Sequence, residues 1–343
     1  MRFVNRIWEG EETGDRLARA VLFPFEALYR GVVAVRSELY DRSLVQIHAS
    51  SIPVISIGNL TVGGTGKTPF ASWIAGRLTD LGMKPAIVLR GYGGDEVLVH
   101  RRLNPGMQVI ADASRSSGIA AAAANGATVA VLDDAFQHRR AMRDADIVLF
   151  SADSWTGKPR LLPVGPWREP ISAVRRASLA VITRKAASDE SVADLSSALM
   201  VAGPLVPQAV VRLVMTRLTR AAGSVSSMDL QKLEGKKILA VSAVGNPDSF
   251  ARQLRELGAE ALTCSYPDHH AFSHNDIAVI IAKSTSVDFI VCTLKDAVKL
   301  ASRWPASAPP LWYVSQTVSV ENGAAQIDKV LARIQSHNSS QPN

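Results

Sequence analysis

The sequence has few cysteines, few aromatic residues and no long apolar run. Its two cysteines, Cys264 and Cys292, do not form a Cys-x-x-Cys pair, so we expect two buried, reduced thiols rather than a disulfide framework. The apolar runs fall short of the roughly 20 residues that span a bilayer. The first fifteen residues lack the basic start and apolar core of a signal peptide, so we expect no leader. No basic run is interleaved with aromatic residues, which argues against nucleic-acid binding.

The bulk composition is that of a folded, mildly basic protein. Of the 343 residues, 47% are hydrophobic and 20% are charged, and the formal net charge is +7. A basic excess of this size is compatible with an anionic partner, such as a nucleotide or a lipid surface, and equally with an ordinary solvated surface. The length predicts two domains, because a single hydrophobic core seldom serves more than about 250–300 residues.

Short apolar segments alternate with helical patterns along most of the chain. The predicted strands lie at 54–57, 86–90, 108–112, 128–134, 146–150 and 179–184, with predicted helices at 70–82 and 115–124. The alternating segment 207–220 predicts an antiparallel pair or a linker strand. A second run has strands at 237–244, 288–296 and 311–317, and a helix that starts at Asn246 and Pro247. This order is typical of an α/β fold with a parallel sheet covered on both faces.

The N-terminal stretch 17–36 predicts an amphipathic helix interrupted by Pro24. On a helix, four charged residues form a narrow polar stripe: Arg16, Arg19, Glu26 and Arg30. The wide apolar remainder includes Leu17, Val21, Phe25, Leu28, Val32 and Val35. Such a helix either docks on the protein or lies in the plane of a membrane surface, and the residues alone leave both arrangements open.

The stretch GNLTVGGTGKTP, residues 58–69, lies between a predicted strand and a predicted helix. Glycines directly before Lys67 and Thr68 in this context predict a P-loop, because they let consecutive backbone N–H groups face phosphate oxygens. Lys67 is then expected to contact the β- and γ-phosphates of a nucleotide, and the Thr68 hydroxyl to bind Mg²⁺. The predicted nucleotide-binding residues are Thr61, Val62, Gly63, Gly64, Thr65, Gly66, Lys67 and Thr68, with Thr61 at the usual first glycine of the pattern.

An acidic partner follows at the end of a later strand. The apolar segment TVAVLDD runs into Asp133 and Asp134, which places carboxylates where a P-loop protein holds Mg²⁺. The predicted metal ligands are therefore Thr68, Asp133 and Asp134. A nucleotide and Mg²⁺ leave kinase, ATPase, GTPase and ligase activities open.

Six further motifs narrow the choice among these nucleotide-dependent activities. They are RGYGGDE (90–96), DDAFQHRR (133–140), LLPVGPWREP (161–170), VGNPDSF (244–250), YPDHHAF (266–272) and TLKDAVKL (293–300). Together with VISIGNLTVGGTGKTP, and over residues 15–335, they resemble the tetraacyldisaccharide 4'-kinase family. The resemblance implies transfer of the ATP γ-phosphate to the 4'-hydroxyl of tetraacyldisaccharide 1-phosphate, a lipid A precursor, with ATP and Mg²⁺ as cofactors.

The resemblance also implies an architecture and a location. It implies a P-loop NTPase-type parallel-sheet domain, a smaller α/β domain and a helix that associates peripherally with the cytoplasmic face of the bacterial inner membrane, with no obligatory protein partner. The predicted regions are an N-terminal helix region at 1–45, a P-loop kinase domain at 46–215, a C-terminal α/β domain at 216–335 and a disordered tail at 336–343.

The catalytic residues that the resemblance implies are Asp95, His269 and Lys67. Asp95 of the GDE segment is expected to act as general base, oriented by His269 of the other domain when the domains close. Arg168 and Glu169 are expected near the nucleotide, with Gln137 and His138 in supporting positions. Here RGYG directly adjoins GDE, whereas the family has a longer insertion, and Ala135 and Leu294 replace family Gly and Glu.

Three alternatives remain open from the sequence. In the first, the chain is a soluble small-molecule kinase or ATPase. In the second, which the short loop before Asp95 motivates, it is a nucleotide-binding homologue that has lost its catalytic base. Alternatively, Asp133 or Asp134 takes over the acid–base work.

Overall fold

The computed structural model describes residues 6–8, 10, 12–91, 94–224, 226–245 and 247–339. Tyr92 and Gly93 of the RGYGGDE motif, and Asn246 of the predicted helix start, lie outside the described residues. The strands are β1 (Val54–Asn59), β2 (Pro85–Leu89), β3 (Gln108–Ala111), β4 (Val129–Asp133), β5 (Ala145–Ser151), β6 (Leu179–Arg184), β7 (Gln208–Arg220), β8 (Ser227–Asp229), β9 (Lys237–Ser242), β10 (Glu260–Ser265), β11 (Phe289–Cys292) and β12 (Leu311–Asn322). The helices are α1 (Thr13–Asp41), α2 (Lys67–Asp80), α3 (Asp95–Leu103), α4 (Arg115–Ala124), α5 (Asp189–Ala202), α6 (Pro247–Glu256), α7 (His274–Lys283), α8 (Leu294–Leu300) and α9 (Ala324–Ser339).

The larger of two compact units comprises the described residues within Arg2–Gly91, Asn104–Leu213 and Val318–Asn343. Its strands pair in the order β7–β6–β5–β1–β4–β2–β3, and every pair is parallel. All residues of β1, β2 and β4 are buried, which is the pattern of a parallel sheet covered on both faces. The carboxyl ends of β1 and β4, neighbours in this sheet, therefore meet at one edge.

The smaller unit comprises the described residues within Tyr92–Leu103 and Val214–Thr317. Strands β10, β9, β11 and the first residues of β12 form a parallel sheet, and the second half of β7 pairs with β8 in antiparallel fashion. Helix α3 packs on α8 within this unit. This unit is not continuous in the chain, because α3 packs with residues that come more than a hundred positions later in the sequence.

The predicted fold class, a mixed α/β fold with a mostly parallel sheet and an N-terminal helix, is confirmed. The linker strand predicted at 207–220 is a single strand, β7, which pairs in parallel with β6 and in antiparallel fashion with β8, and its residues belong to both units. Two other local expectations differ from the structure. The strand predicted at 288–296 ends at Cys292, because the Thr293 side chain caps α8. Of the tail predicted at 336–343, residues 336–339 belong to α9, and residues 340–343 lie outside the described residues.

Helix α1 directs Glu26 and Tyr29 toward the rest of the larger unit, whereas Arg16 and Arg30 of the polar stripe are exposed and most of the apolar face points outward. Glu26 is buried, accepts the N–H of Leu161 at 2.9 Å and pairs with Arg30 at 3.4 Å. The Tyr29 hydroxyl donates to the carbonyl of Arg168 at 2.9 Å. Seven apolar side chains of α1 are 54–68% exposed: Leu17, Val21, Phe23, Phe25, Leu28, Val32 and Val35. Among the described residues, none of the helices has the length and apolar character to cross a membrane.

Candidate active site

The glycine-rich loop connects β1 to α2 as the sequence predicts. Gly66, the residue before α2, has φ +84°, a conformation that glycine adopts without a steric cost. A Cβ at Gly58 would lie 2.6 Å from the Cβ of Phe136, so the close approach of these two segments requires glycine there. The loop therefore places the backbone N–H groups at the start of α2, where a helix binds anions.

The loop is held against the segment that contains the WREP motif. The N–H of Val62 donates to the carbonyl of Pro166, and the N–H of Arg168 donates to the carbonyl of Leu60, each at 2.7 Å. Thr61 forms a bridge with Trp167. These backbone contacts explain how a threonine is accommodated at the usual glycine position, and they bring Arg168 to the loop.

Five charged or polar side chains meet at the carboxyl ends of β1 and β4. Lys67 Nζ lies 3.5 Å from Asp134 Oδ1, and Arg168 Nη1 lies 3.3 Å from the same oxygen. The Thr68 hydroxyl donates to Asp133 Oδ2 at 3.2 Å. Asp134 has φ +50°, which is uncommon for a residue with a side chain and typical of functional sites. The structure thus brings together the predicted Lys67, Thr68, Asp133, Asp134 and Arg168.

This cluster fits a nucleotide with its magnesium ion. Mg²⁺ in nucleotide sites takes one or two protein oxygens and completes its shell with phosphate and water oxygens. Thr68 and Asp133 supply a hydroxyl and a carboxylate oxygen at neighbouring positions. Across the described part of the chain, no three His, Cys, Asp or Glu side chains are grouped to hold a metal ion. The Thr68 hydroxyl and the Asp133 carboxylate therefore suit a Mg²⁺ ion whose other ligands are phosphate and water oxygens.

A second cluster, in the smaller unit, contains Asp95 and His269. Asp95 is the first residue of α3 and is buried, and its Oδ2 lies 3.2 Å from His269 Nδ1. Its Oδ1 accepts the N–H of Glu96 at 3.1 Å. The expectation that this pair joins two domains on closure is corrected, because both residues belong to the same compact unit. Helix α3 packs on α8 within this unit, and this packing places Asp95 next to the DHH segment, residues 268–270.

The DHH segment is fixed by contacts on both sides of His269. His269 has φ +58°, and its N–H donates to Asp268 Oδ1 at 3.0 Å. His270 stacks on Tyr266 with ring centroids 4.9 Å apart, and its Nε2 lies 3.0 Å from Asp276 Oδ2. Hydrogen bonds from the hydroxyl and N–H of Ser273, and then from His270, lower the pKa of Asp276 to about 2. The strained backbone at His269 is therefore supported by a network anchored on α7.

The remaining predicted residues lie in the larger unit. The buried Glu169 pairs with Arg176 at 2.6 Å. Gln137 donates to the carbonyl of Asn59 at 2.9 Å. Burial, and then the nearby Arg115 and Arg90, lower the pKa of His138. Because its pKa is lowered, His138 is neutral at physiological pH.

Asn59 is a functional candidate that the sequence analysis missed. Its Oδ1 accepts a hydrogen bond from Lys67 Nζ at 3.1 Å, and its Nδ2 donates to Thr61 Oγ1 at 3.3 Å. The sequence did carry a signal for this role, because Asn59 is a polar residue at the carboxyl end of a buried, mainly apolar strand, next to the glycine-rich segment. Asn59 orients the Lys67 ammonium toward the loop.

Comparison with known proteins gives a family and a solved relative. The family described as tetraacyldisaccharide-1-P 4'-kinase matches residues 18–335. The curated tetraacyldisaccharide 4'-kinase of Syntrophus aciditrophicus (strain SB) is 36% identical over 343 residues, covering 87% of this chain and 89% of the relative. That of Anaeromyxobacter sp. (strain Fw109-5) is 36% identical over 371 residues, covering 97% and 98%.

Among solved structures, the "apo" form of LpxK from Aquifex aeolicus in complex with ATP superposes with a TM-score of 0.74. It is 28% identical, and the match covers 92% of this chain and 99% of that chain. The sequence match, the structural match and the clustered P-loop side chains agree. The chain belongs to the tetraacyldisaccharide-1-P 4'-kinase family.

Proposed function

We propose that this chain transfers the γ-phosphoryl group of ATP to the 4'-hydroxyl of tetraacyldisaccharide 1-phosphate, giving the bisphosphorylated lipid A precursor. The observation that carries the proposal is the cluster of Lys67, Thr68, Asp133, Asp134 and Arg168 in a member of this family. Curated relatives with the kinase name are matched over most of their length, which supports the same reaction here.

Lys67 and Arg168 hold the transferring phosphoryl group. Both cations lie within 3.5 Å of the partly exposed Asp134, so they share one carboxylate and retain positive charge for a polyanionic ligand. Charge develops on the phosphoryl oxygens in the transition state, and preorganised cations stabilise it without reorganisation. We assign Lys67 to the β- and γ-phosphates and Arg168 to the transferring group.

Thr68 and Asp133 hold Mg²⁺ in this proposal. When bound, the ion neutralises charge on the β- and γ-phosphate oxygens. Thr68 directs its hydroxyl at the Asp133 carboxylate, so both oxygens are already oriented. Asp134, on the following residue, instead contacts the two cations.

Asp95 accepts the proton of the acceptor alcohol. As the 4'-oxygen forms its bond to the γ-phosphorus, the bond from phosphorus to the β–γ bridging oxygen breaks, ADP leaves and the hydroxyl proton passes to the Asp95 carboxylate. A positioned base of this kind accounts for about 10²–10⁴-fold in rate. His269, 3.2 Å from Asp95 Oδ2, orients the carboxylate.

Helix α1 supports peripheral association with the cytoplasmic face of the inner membrane. Its exposed face carries a shallow, mainly apolar surface formed by Ala27, Leu28, Gly31, Val32, Val35, Arg36 and Leu39. An amphipathic helix with this arrangement lies in the plane of the interface, where its apolar side chains leave water. An acylated acceptor resides in the same layer, so α1 brings enzyme and substrate together.

The proposal is tested with purified protein, Mg-ATP and tetraacyldisaccharide 1-phosphate. We expect the parent to form the bisphosphorylated lipid, Lys67→Ala to lose about 10²–10³-fold in kcat/KM, and the exposed control Lys84→Ala to match the parent. Product formation by Lys67→Ala at the parental rate would show that the P-loop assignment is wrong. A large loss in Asp133→Ala without one in Asp95→Ala would move the base to Asp133.

A further inference from the structure

A lysine that the mechanism above does not use lies beside the Asp95–His269 pair. Lys299 Nζ is 3.7 Å from Asp95 Oδ2, the same oxygen that faces His269 Nδ1. The Lys299 side chain is only 15% exposed and that of Asp95 6%. Exposed ion pairs contribute little, whereas a pair withdrawn from water responds strongly to the loss of one partner. Lys299 is therefore part of the immediate surroundings of the proposed base.

The same ammonium group holds the loop that carries His269. Lys299 Nζ donates to the carbonyl of His270 at 3.3 Å and lies 5.9 Å from the centroid of the Phe272 ring. His270 directly follows His269, and the backbone of His269 is in the left-handed region. One cation thus touches both members of the dyad, Asp95 through its carboxylate and His269 through the adjoining backbone.

Asp296 fixes Lys299 from the other side. Its side chain is fully buried, and its Oδ1 lies 3.8 Å from Lys299 Nζ, one helical turn away on α8. Its Oδ2 accepts the N–H of Ala243 at 3.0 Å and the Thr293 hydroxyl at 2.7 Å. Because those two donors hold the Asp296 carboxylate in place, Lys299 is directed toward Asp95.

We propose that Lys299 is a positioning residue for the base in the phosphoryl transfer, an inference that rests on the proposed function. Among the described residues, the charged or titratable groups that face Asp95 from the elements packed against it are His269 and Lys299. The backbone N–H of Glu96, on the same helix as Asp95, donates to its other carboxylate oxygen. Without the ammonium, two buried carboxylates, Asp95 and Asp296, lose the cation between them. The Asp95 carboxylate and the loop then lose their fixed orientation, which slows the chemical step and leaves nucleotide binding unchanged.

The test compares kcat for the lipid acceptor, KM for ATP and thermal stability in a set of variants. Lys299→Met should lower kcat at least about tenfold, which is a part of the rate enhancement that a general base supplies. The KM for ATP should be unchanged. Lys299→Arg keeps the charge and should restore most of kcat. In an Asp95→Asn background, Lys299→Met should cost nothing further, because it acts through Asp95. Lys283→Met, on the exposed face of α7, is the matched control and should equal the parent.

A parental kcat in folded Lys299→Met, or an undiminished cost in the Asp95→Asn background, would overturn the inference. If Lys299→Met does not fold, the combination with Asp296→Asn removes one buried charge of each sign. The same loss of kcat is then expected, and a parental kcat overturns the inference. Failure of the proposed function is distinct, because the parent itself would then form no bisphosphorylated lipid. A parental kcat in Asp95→Asn would show that Asp95 is not the base and would also overturn the inference.

Discussion

Helix α1 offers a quantitative test of membrane association. The perturbation is the triple substitution Val21→Ser, Phe25→Ser and Leu28→Ser, three side chains on one face that are 64%, 58% and 68% exposed. Full burial of such a side chain is worth about 1.5–3 kcal/mol, so a lipid surface that covers the exposed part gains about 1–2 kcal/mol from each. The three together account for about 3–6 kcal/mol, or two to four powers of ten in partitioning.

The assay is cosedimentation with vesicles of phosphatidylethanolamine and phosphatidylglycerol. Because an interface desolvates side chains only in part, we expect the triple variant to bind at least about tenfold more weakly. The control replaces Leu262 and Val279, exposed apolar residues of the smaller unit, with serine and should bind like the parent. Thermal unfolding should change little in either protein, since the replaced side chains face water. Parental vesicle binding by the triple variant would show that the exposed apolar face of α1 does not bind the membrane.

Two further predictions concern stability. Glu26→Ala should lower the free energy of unfolding by about 1–3 kcal/mol, because the N–H of Leu161 loses its buried acceptor, whereas Glu38→Ala in an exposed i,i+4 pair should cost less than about 0.5 kcal/mol. Equal urea midpoints for these two variants would contradict this. Asp276→Ala should destabilise by about 1 kcal/mol, its exposed neighbour Asn275→Ala being the control. The pKa of Asp276 is lowered to about 2, so its contribution is complete above its ordinary value of 3.8 and is lost as pH falls toward 2. A parent-to-variant difference that grows on acidification would contradict the assignment.

The elements that determine the P-loop cluster could be predicted because their signals are local. Strand β1 is a fully buried and mainly apolar segment, and α2 follows a glycine-rich loop and buries Phe70, Ile74 and Leu78 on one face. Helix α4 was predicted with the bounds it has, since the Ser114 cap and the Asn125–Gly126 turn delimit it. Propensity, capping and hydrophobic period agree in these segments.

Elements stabilised by distant contacts were not predictable in the same way. Helix α3 buries only Asp95, Val99 and His100, so it shows no apolar stripe, and its packing on α8 depends on residues far along the chain. Strand β10 lies at an edge and is mostly exposed, which removes the usual apolar signal. The Asp95–His269 pair joins residues 174 positions apart. Sequence reasoning reached it only through the family resemblance, and it placed the two residues in different domains.

The 4'-hydroxyl of the lipid is the phosphoryl acceptor in the proposed reaction. A direct measurement is ADP production with tetraacyldisaccharide 1-phosphate compared with its 4'-deoxy analogue, at saturating Mg-ATP. We predict ADP and a new 4'-phosphate monoester in equal amounts with the natural acceptor, and only background ADP with the analogue. Equal ADP production with both compounds would contradict this prediction, because water or another group would then be the acceptor.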